Sequence, residues 1–131
     1  MLKIFVYDKI RIMSQLIHFF FELQTNIKLY HWMTLSYARH KAADNLFDKI
    51  LSSSDKFIEV YIGKYGRPVM NKRDMNINLQ NLDDKTIMKF LQDSNQFLLT
   101  DIHKHIKKED VDLFNIRDEL VASLNQTKYL F

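Results

Sequence analysis

Four side chains that can bind a metal ion recur on one face of a predicted helix in the middle of the chain. With His40 as the origin and an advance of about 100° per residue, Asp44 lies about 40° around the helix. Asp55 and Glu59 lie about 60° and about 100° around it, so the four groups share about a quarter turn. Buried ionisable groups are costly unless they are paired, hydrogen-bonded or bound to metal. One imidazole with several carboxylates and no sulfur suits iron, manganese or zinc.

The length of this arc along the helix limits how it can bind an ion. His40 and Asp55 are fifteen residues apart, on the order of 22 Å in a continuous helix, and Asp44 and Asp55 are separated by roughly 16 Å. Metal–ligand bonds are roughly 2 Å, so one chain cannot gather both ends around one ion. Two antiparallel copies of the helix, related by a two-fold axis, bring the His40 end of one beside the Glu59 end of the other. The pattern predicts an intersubunit site, to which His31 can add a further imidazole.

Simpler interpretations of the same residues stay open. Acidic residues four apart on an amphipathic helix often form a solvated face, and Asp48 falls on the same arc without being part of the ligand pattern. A lone histidine in an aromatic-rich helix, such as His31, is commonly a core or rim residue. His103 and His105 point to different sides of a helix, so we interpret them as the solvated end of a helix rather than as a metal pair.

Hydrophobic residues recur at helical spacing in four segments, and these are the elements that must position the candidate ligands. The predicted helices span about 10–37, 38–65, 85–108 and 113–131. Gly63, Gly66 and Pro68 supply the end of the second helix, and a polar, aperiodic connection follows it. A short, a long and a short link predict an all-α, antiparallel four-helix bundle with one long crossover between helices 2 and 3, which is the ferritin-like arrangement.

The composition fits one such domain spanning residues 1–131. Apolar residues make up 47% of the chain, which favours a packed core, and two glycines with one proline are too few for the turns of a sandwich or barrel. The absence of cysteine excludes disulfides and thiol chemistry, and a net charge of +3 is too small to indicate a nucleic-acid partner. Charged residues interrupt the apolar N-terminal segment, so we expect no signal peptide, no membrane association and a cytoplasmic location.

The segment from Leu29 to Pro68 resembles the Dps family of mini-ferritins. The resemblance rests on "YHW" in the first helix, on "HxxxD" and "DxxxE" in the second, and on the glycine- and proline-containing stop after it. In that family a ferroxidase centre lies at a two-fold interface and takes ligands from both subunits. The link between the two histidines is about one turn shorter here than is usual in the family. The resemblance implies these ligands: His31, His40 and Asp44 from one chain, and Asp55 and Glu59 from the other.

The resemblance implies a function as well as a site. It implies a ferroxidase that binds Fe(II), oxidises it with hydrogen peroxide or dioxygen, stores or detoxifies iron and protects against oxidative stress. Zinc or manganese can substitute for iron, and the expected partners are further copies of the chain, as a two-fold dimer or a dodecameric shell. Only a few basic residues lie near the chain ends, so DNA binding is not expected. The alternative is a non-catalytic ferritin-like helical structural or interaction protein, including a virus- or particle-associated module.

Overall fold

The computed structural model describes residues 2–131, with side chains from residue 13 onward, and this part of the chain contains four α-helices and no strand. The all-helical prediction and the number of helices are therefore confirmed. Two short 3-10 turns, Lys72–Met75 and Asp101–Lys104, interrupt the connections. The four α-helices are α1 (Leu2–Met33), α2 (Tyr37–Tyr65), α3 (Ile87–Leu99) and α4 (Val111–Leu130).

The corner between α1 and α2 lies earlier in the chain than the sequence predicts. Helix α1 starts at Leu2 rather than near residue 10, and it ends at Met33 rather than near residue 37. Ser36 is the N-cap of α2, because its Oγ accepts a hydrogen bond from the backbone N–H of Arg39 at 3.2 Å. The Oγ1 atom of Thr34 accepts the N–H of Ser36 at 3.2 Å. Hydroxyl side chains thus make a tight corner without glycine or proline.

Helix α3 is shorter than the predicted span of about 85–108. It ends at Leu99, where the hydroxyl of Thr100 donates to the carbonyl of Gln96 at 2.6 Å, and a 3-10 turn follows. A threonine side chain that bonds the preceding turn in this way competes with continuation of the helix. The solvated-end interpretation is right for His103, which is exposed, and wrong for His105, which is buried.

Helices α2 and α4 run antiparallel. At one end, the Lys64 ammonium in the last turn of α2 contacts the carboxylates of Asp110 and Asp112, with Nζ–Oδ1 distances of 2.8 and 2.6 Å. At the other end, the Nη2 group of Arg39, near the start of α2, donates to the carbonyl of Phe131 at 2.9 Å. Helix α2 packs against both α1 and α4, and α3 packs against α4.

The connection between α2 and α3 lies along α1, held by a row of polar α1 side chains spaced four residues apart. Residues four apart lie on one side of a helix, so the row faces a single neighbouring segment. We call these contacts the polar ladder. It pairs Ser14 with Asn71, His18 with Asp74, Glu22 with Asn78, Asn26 with Asn78 and Gln80, and Tyr30 and Thr34 with Asp84.

The order of the polar ladder gives the direction of the crossover. Contacts advance together along both segments, from Ser14 and Asn71 to Thr34 and Asp84. The crossover therefore returns along α1 to the end of the molecule where α2 begins. Helix α3 starts at that end, so α2 and α3 point in the same direction.

A continuous hydrophobic core lies between the helices. Fully buried side chains include Leu23 of α1, Phe57 of α2, Leu91 of α3 and Leu120 of α4. Among residues 2–131, no helix is both long enough and apolar enough to cross a membrane.

Candidate metal centre

His31 and His40 meet across the corner between α1 and α2. The Nδ1 atom of His31 lies 2.8 Å from the carbonyl oxygen of His40, and the Nδ1 atom of His40 lies 2.8 Å from the carbonyl oxygen of His31. The two imidazole rings are stacked, with centroids 3.9 Å apart and planes inclined by 20°. The short corner is what allows this reciprocal contact, because it brings the two backbones close together.

These hydrogen bonds determine which ring nitrogen carries a proton. A carbonyl oxygen can only accept, so each Nδ1 must be the donor. In the neutral imidazole the Nε2 atom then carries the lone pair that binds metals. Histidine ligands commonly donate their other ring N–H to a backbone carbonyl, which orients the ring and raises its basicity. In both rings this tautomer leaves the Nε2 atom without a proton.

Asp44 completes this group from one helical turn after His40. Its Oδ1 atom lies 3.8 Å from the Nε2 atom of His31. The residue His31 is almost fully buried. The Asp44 side chain is 46% exposed, so it is open to solvent or to a partner. We call His31, His40 and Asp44 together the histidine half-site.

The corner that carries the histidine half-site is fixed from the crossover by Asp84. Its Oδ1 atom accepts hydrogen bonds from the Tyr30 hydroxyl at 2.6 Å and the Thr34 hydroxyl at 3.1 Å. The Tyr30 hydrogen bond, more than any other contact, lowers the pKa of the Asp84 carboxyl. Arg39 donates to the Asp84 carbonyl at 3.1 Å. Tyr30 and Arg39, which directly precede His31 and His40, are thus both hydrogen-bonded to Asp84.

Asp55 and Glu59 form a second group further along α2, which we call the carboxylate half-site. A hydrogen bond between the two side chains, together with their like charges, raises the pKa of the Glu59 carboxyl above its ordinary value. Both residues are exposed. Two adjacent carboxylates repel each other unless a proton or a cation lies between them, so this pair is suited to attract a cation.

The two half-sites are separate within one chain. Asp44 and Asp55 are eleven residues apart in the unbroken helix α2, which corresponds to roughly 16 Å. Among residues 13–131, whose side chains are described, no three His, Asp or Glu side chains are close enough together to hold a metal ion. The structure places His31 beside His40 and beside Asp44, and Asp55 beside Glu59, but one chain alone does not assemble a metal site from either group.

The residue spacing did not reveal Lys28, which also contacts the histidine half-site. Its Nζ atom lies 3.6 Å from Oδ1 of Asp44. Lys28 is three residues before His31, and residues three apart share a helix face, so the available signal was a cation on the ligand face. Asp48, the remaining acidic residue on the arc, is exposed.

An open apolar groove lies beside the carboxylate half-site, between α1 and α2. It has a volume of about 610 Å³, and Asp55 forms part of its wall. Phe21 and Leu51 also line it and are 50% and 40% exposed. The carboxylates thus stand at the edge of an uncovered apolar surface.

Comparison with known proteins gives a family without an assigned activity. The model of a family of unknown function, DUF5856, matches residues 31–131, and the chain belongs to this family. The matched range includes all five candidate ligands and helices α2, α3 and α4. No curated protein and no solved structure matches the chain.

Proposed function

We propose that this member of the DUF5856 family is a Dps-like mini-ferritin that binds and oxidises Fe(II) at a site shared by two protomers. The observation that carries the proposal is the reciprocal hydrogen bonding of His31 and His40. It leaves the Nε2 lone pair of each ring free of a proton, and Nε2 of His31 lies 3.8 Å from the Asp44 carboxylate.

The course of the chain supports a ferritin-like assignment of the helical bundle. The polar ladder carries the crossover back along α1, so α2 and α3 are parallel while the other consecutive helices are antiparallel. One long crossover between the second and third helices distinguishes this arrangement from an up-and-down bundle.

The two half-sites are complementary, which supports a two-fold dimer. Antiparallel α2 helices of two protomers would bring the histidine half-site of each chain to the carboxylate half-site of the other, twice per dimer. The apolar groove beside Asp55 offers hydrophobic surface for such an interface. A shell of about twelve subunits would additionally enclose a cavity for mineral, as the resemblance implies.

Iron is the substrate in this proposal, and the ligand chemistry suits its oxidation. Asp55 and Glu59 would bind the first Fe(II), with Glu59 able to reach a second, and the histidine half-site would complete both positions. Carboxylates favour the ferric product, while neutral imidazoles also bind the ferrous ion. Two Fe(II) ions each give one electron to hydrogen peroxide, whose O–O bond is cleaved to two waters with uptake of two protons. Zinc or manganese would bind the same groups without undergoing this reaction.

An anaerobic titration with Fe(II), followed by peroxide, tests the proposal. We expect saturable binding, then rapid oxidation, and a loss of at least about tenfold in the oxidation rate in Glu59→Ala. Asp48→Ala is the matched control, because Asp48 lies on the same arc of α2 and is exposed. Absence of saturable binding, or equal rates in the two variants, would exclude the ferroxidase.

A non-catalytic helical module, in a particle or in a complex, is the second candidate. It is favoured by the exposed apolar side chains at the α1–α2 corner, where Trp32, Leu35 and Tyr37 are 65%, 102% and 73% exposed. Such a patch is typical of a contact surface for another protein. A mass measurement in solution separates the candidates. A dimer or a closed shell supports the shared site, whereas a monomer at micromolar concentration that binds no iron supports the module.

The proposed location is the cytoplasm, where ferrous iron and peroxide would both be met. DNA binding is not part of the proposal. The N-terminal basic residues Lys3, Lys9 and Arg11, from which such binding could be argued, have side chains outside the described residues. A gel shift at low ionic strength would reveal any salt-dependent affinity.

A further inference from the structure

The ammonium group of Lys28 lies beside Asp44, where a metal ion would bind in the histidine half-site. Its Nζ atom lies 3.6 Å from Oδ1 of Asp44, and Nε2 of His31 lies 3.8 Å from the same oxygen atom. The carboxylate oxygen that would bind a metal ion together with His31 thus already faces an ammonium group. The Lys28 side chain is 31% exposed, so it is partly shielded from water in this position.

Two aromatic rings contact the same ammonium while it faces Asp44. Nζ of Lys28 lies 4.7 Å from the centroid of the Phe47 ring and 5.7 Å from that of Trp32. Both distances are within the range of a cation–π contact. Phe47 is three residues after Asp44 on α2, while Trp32 is four residues after Lys28 on α1. The ammonium can therefore leave the carboxylate without returning fully to bulk solvent.

We propose that Lys28 is a built-in competitor for the metal at Asp44, displaced onto the rings of Phe47 and Trp32 when a divalent cation binds. This inference rests on the proposed function and adds a specificity-determining residue to it. In the metal-free protein the ammonium neutralises Asp44. A divalent ion carries twice the charge of the ammonium and can coordinate both Asp44 and the Nε2 lone pair of His31 directly, so it is attracted to this carboxylate more strongly. Monovalent cations lack that advantage, so Lys28 selects for divalent metals and weakens their binding.

Removing the charge of Lys28 should strengthen metal binding. We expect Lys28→Met, which keeps the length of the side chain, to bind Zn²⁺ at least about tenfold more tightly than the wild type, because a neighbouring positive charge is lost. Zn²⁺ is suited to the test since it does not change oxidation state. Lys28→Arg keeps the charge and should stay within about threefold of the wild type.

Lys41→Met is the matched control. Lys41 also lies over an aromatic ring, with Nζ 5.9 Å from the centroid of Tyr37, and it belongs to the same corner of the protein. The ion pairs of Asp44 among the described residues are with Lys28 and His31, so removal of Lys41 should leave Zn²⁺ affinity unchanged. Trp32 is the sole tryptophan of the chain, and its fluorescence should change on Zn²⁺ binding in the wild type but much less in Lys28→Met.

The outcomes distinguish this inference from the proposed function. Tighter binding in Lys28→Met alone, with the altered fluorescence response, supports displacement. Zn²⁺ binding of equal strength in the wild type and Lys28→Met, or equal tightening in Lys28→Arg, overturns the competitor role and leaves the metal site standing. Failure of every form to bind Zn²⁺ or Fe(II), with circular dichroism showing folded protein, overturns both.

Discussion

His31 and His40 each hold the other's ring through a backbone carbonyl, with both Nδ1–O distances at 2.8 Å. Each ring is therefore oriented by the backbone of the other residue rather than by a third side chain. The arrangement makes the corner between α1 and α2 part of the site, because moving either backbone would release both rings. It also separates two roles within one side chain: Nδ1 maintains the corner and Nε2 is left for a ligand.

These two roles can be separated by substitution. In His40→Asn the side-chain amide nitrogen replaces Nδ1 and can still donate to the carbonyl of His31, but no ligand nitrogen remains. We expect His40→Asn to lose metal binding at little cost in stability. His40→Ala should lose metal binding and be destabilised by about 1 kcal/mol or more, through the lost hydrogen bond and ring contact. Urea unfolding without metal and Zn²⁺ titration measure the two effects. Equal destabilisation in both variants would show that Nδ1 does not maintain the corner.

A shared site predicts complementation between two inactive chains. Asp44→Asn removes the carboxylate of the histidine half-site, and Glu59→Gln removes a ligand of the carboxylate half-site. Each variant alone should lose most Fe(II) oxidation. When they are unfolded together and refolded, half of the dimers contain both chains, and each of these has one intact site, so about a quarter of the wild-type activity should return. Mixing the variants without unfolding provides the control for subunit exchange. No recovery in any mixture of folded dimers would mean that the ligands do not act across an interface.

The polar ladder predicts a large cost for removing Asn26. This fully buried side chain donates to the carbonyls of Glu22 and Asn78 and accepts from the N–H of Gln80. Asn26→Ala removes three partly buried hydrogen bonds, at about 0.5–1.5 kcal/mol each, so we expect destabilisation on the order of 2 kcal/mol. Asn45→Ala, at an exposed position of α2, should change stability by less than about 0.5 kcal/mol. Chemical denaturation measures the stability of both variants. An equally small effect of the two substitutions would show that the polar ladder does not stabilise the fold through Asn26.

Stability at acid pH should depend on Asp110. Burial on its own raises the pKa of this carboxyl, but hydrogen bonds from Lys64, Tyr65 and the N–H of Lys107 outweigh it and lower the pKa to about 2. Because the folded state binds the proton less tightly than the unfolded state, this stabilisation is present above about pH 4 and is lost as the pH falls towards 2. It amounts to on the order of 2 kcal/mol.

Asp110→Asn tests the acid dependence. The variant should be less stable than the wild type at pH 6, and the difference should shrink between pH 4 and pH 2, as measured by thermal unfolding across that range. Asp118→Asn is the control, since Asp118 is an exposed carboxylate in the same helix. A difference between wild type and Asp110→Asn that is constant with pH would rule out the assigned linkage.

The sequence allowed α2 to be predicted closely and α1 less well. The second helix was expected over 38–65 and is observed over Tyr37–Tyr65, because apolar periodicity is strong and Gly66, at φ 92°, adopts a backbone conformation that favours glycine. The end of α1 was misplaced because the corner depends on Thr34 and Ser36, whose hydroxyls are also compatible with a continuing helix. Local composition alone therefore does not distinguish a corner from a continuing helix at these residues.

Part of the candidate site could also be anticipated. His40 and Asp44 are one turn apart on α2, and the structure places the His31 ring against that of His40 and Nε2 of His31 3.8 Å from Oδ1 of Asp44. The reciprocal carbonyl contacts depend on how two helices meet, which residue spacing does not contain. The polar ladder was missed although a signal existed: Ser14 and Asn26, both buried, belong to a series of polar residues that repeats every four positions in α1.

The crossover also measures the length of α1. Ser14 and Thr34 are twenty residues apart, about 30 Å along the helix axis. The thirteen residues from Asn71 to Asp84, which include the 3-10 turn Lys72–Met75, cover the same distance. An extra turn in α1 alone would put every later rung out of register. In related chains, therefore, an insertion in the first helix should be accompanied by a compensating insertion in the connection beside it. The length of the bundle along its axis should change only when both segments change together.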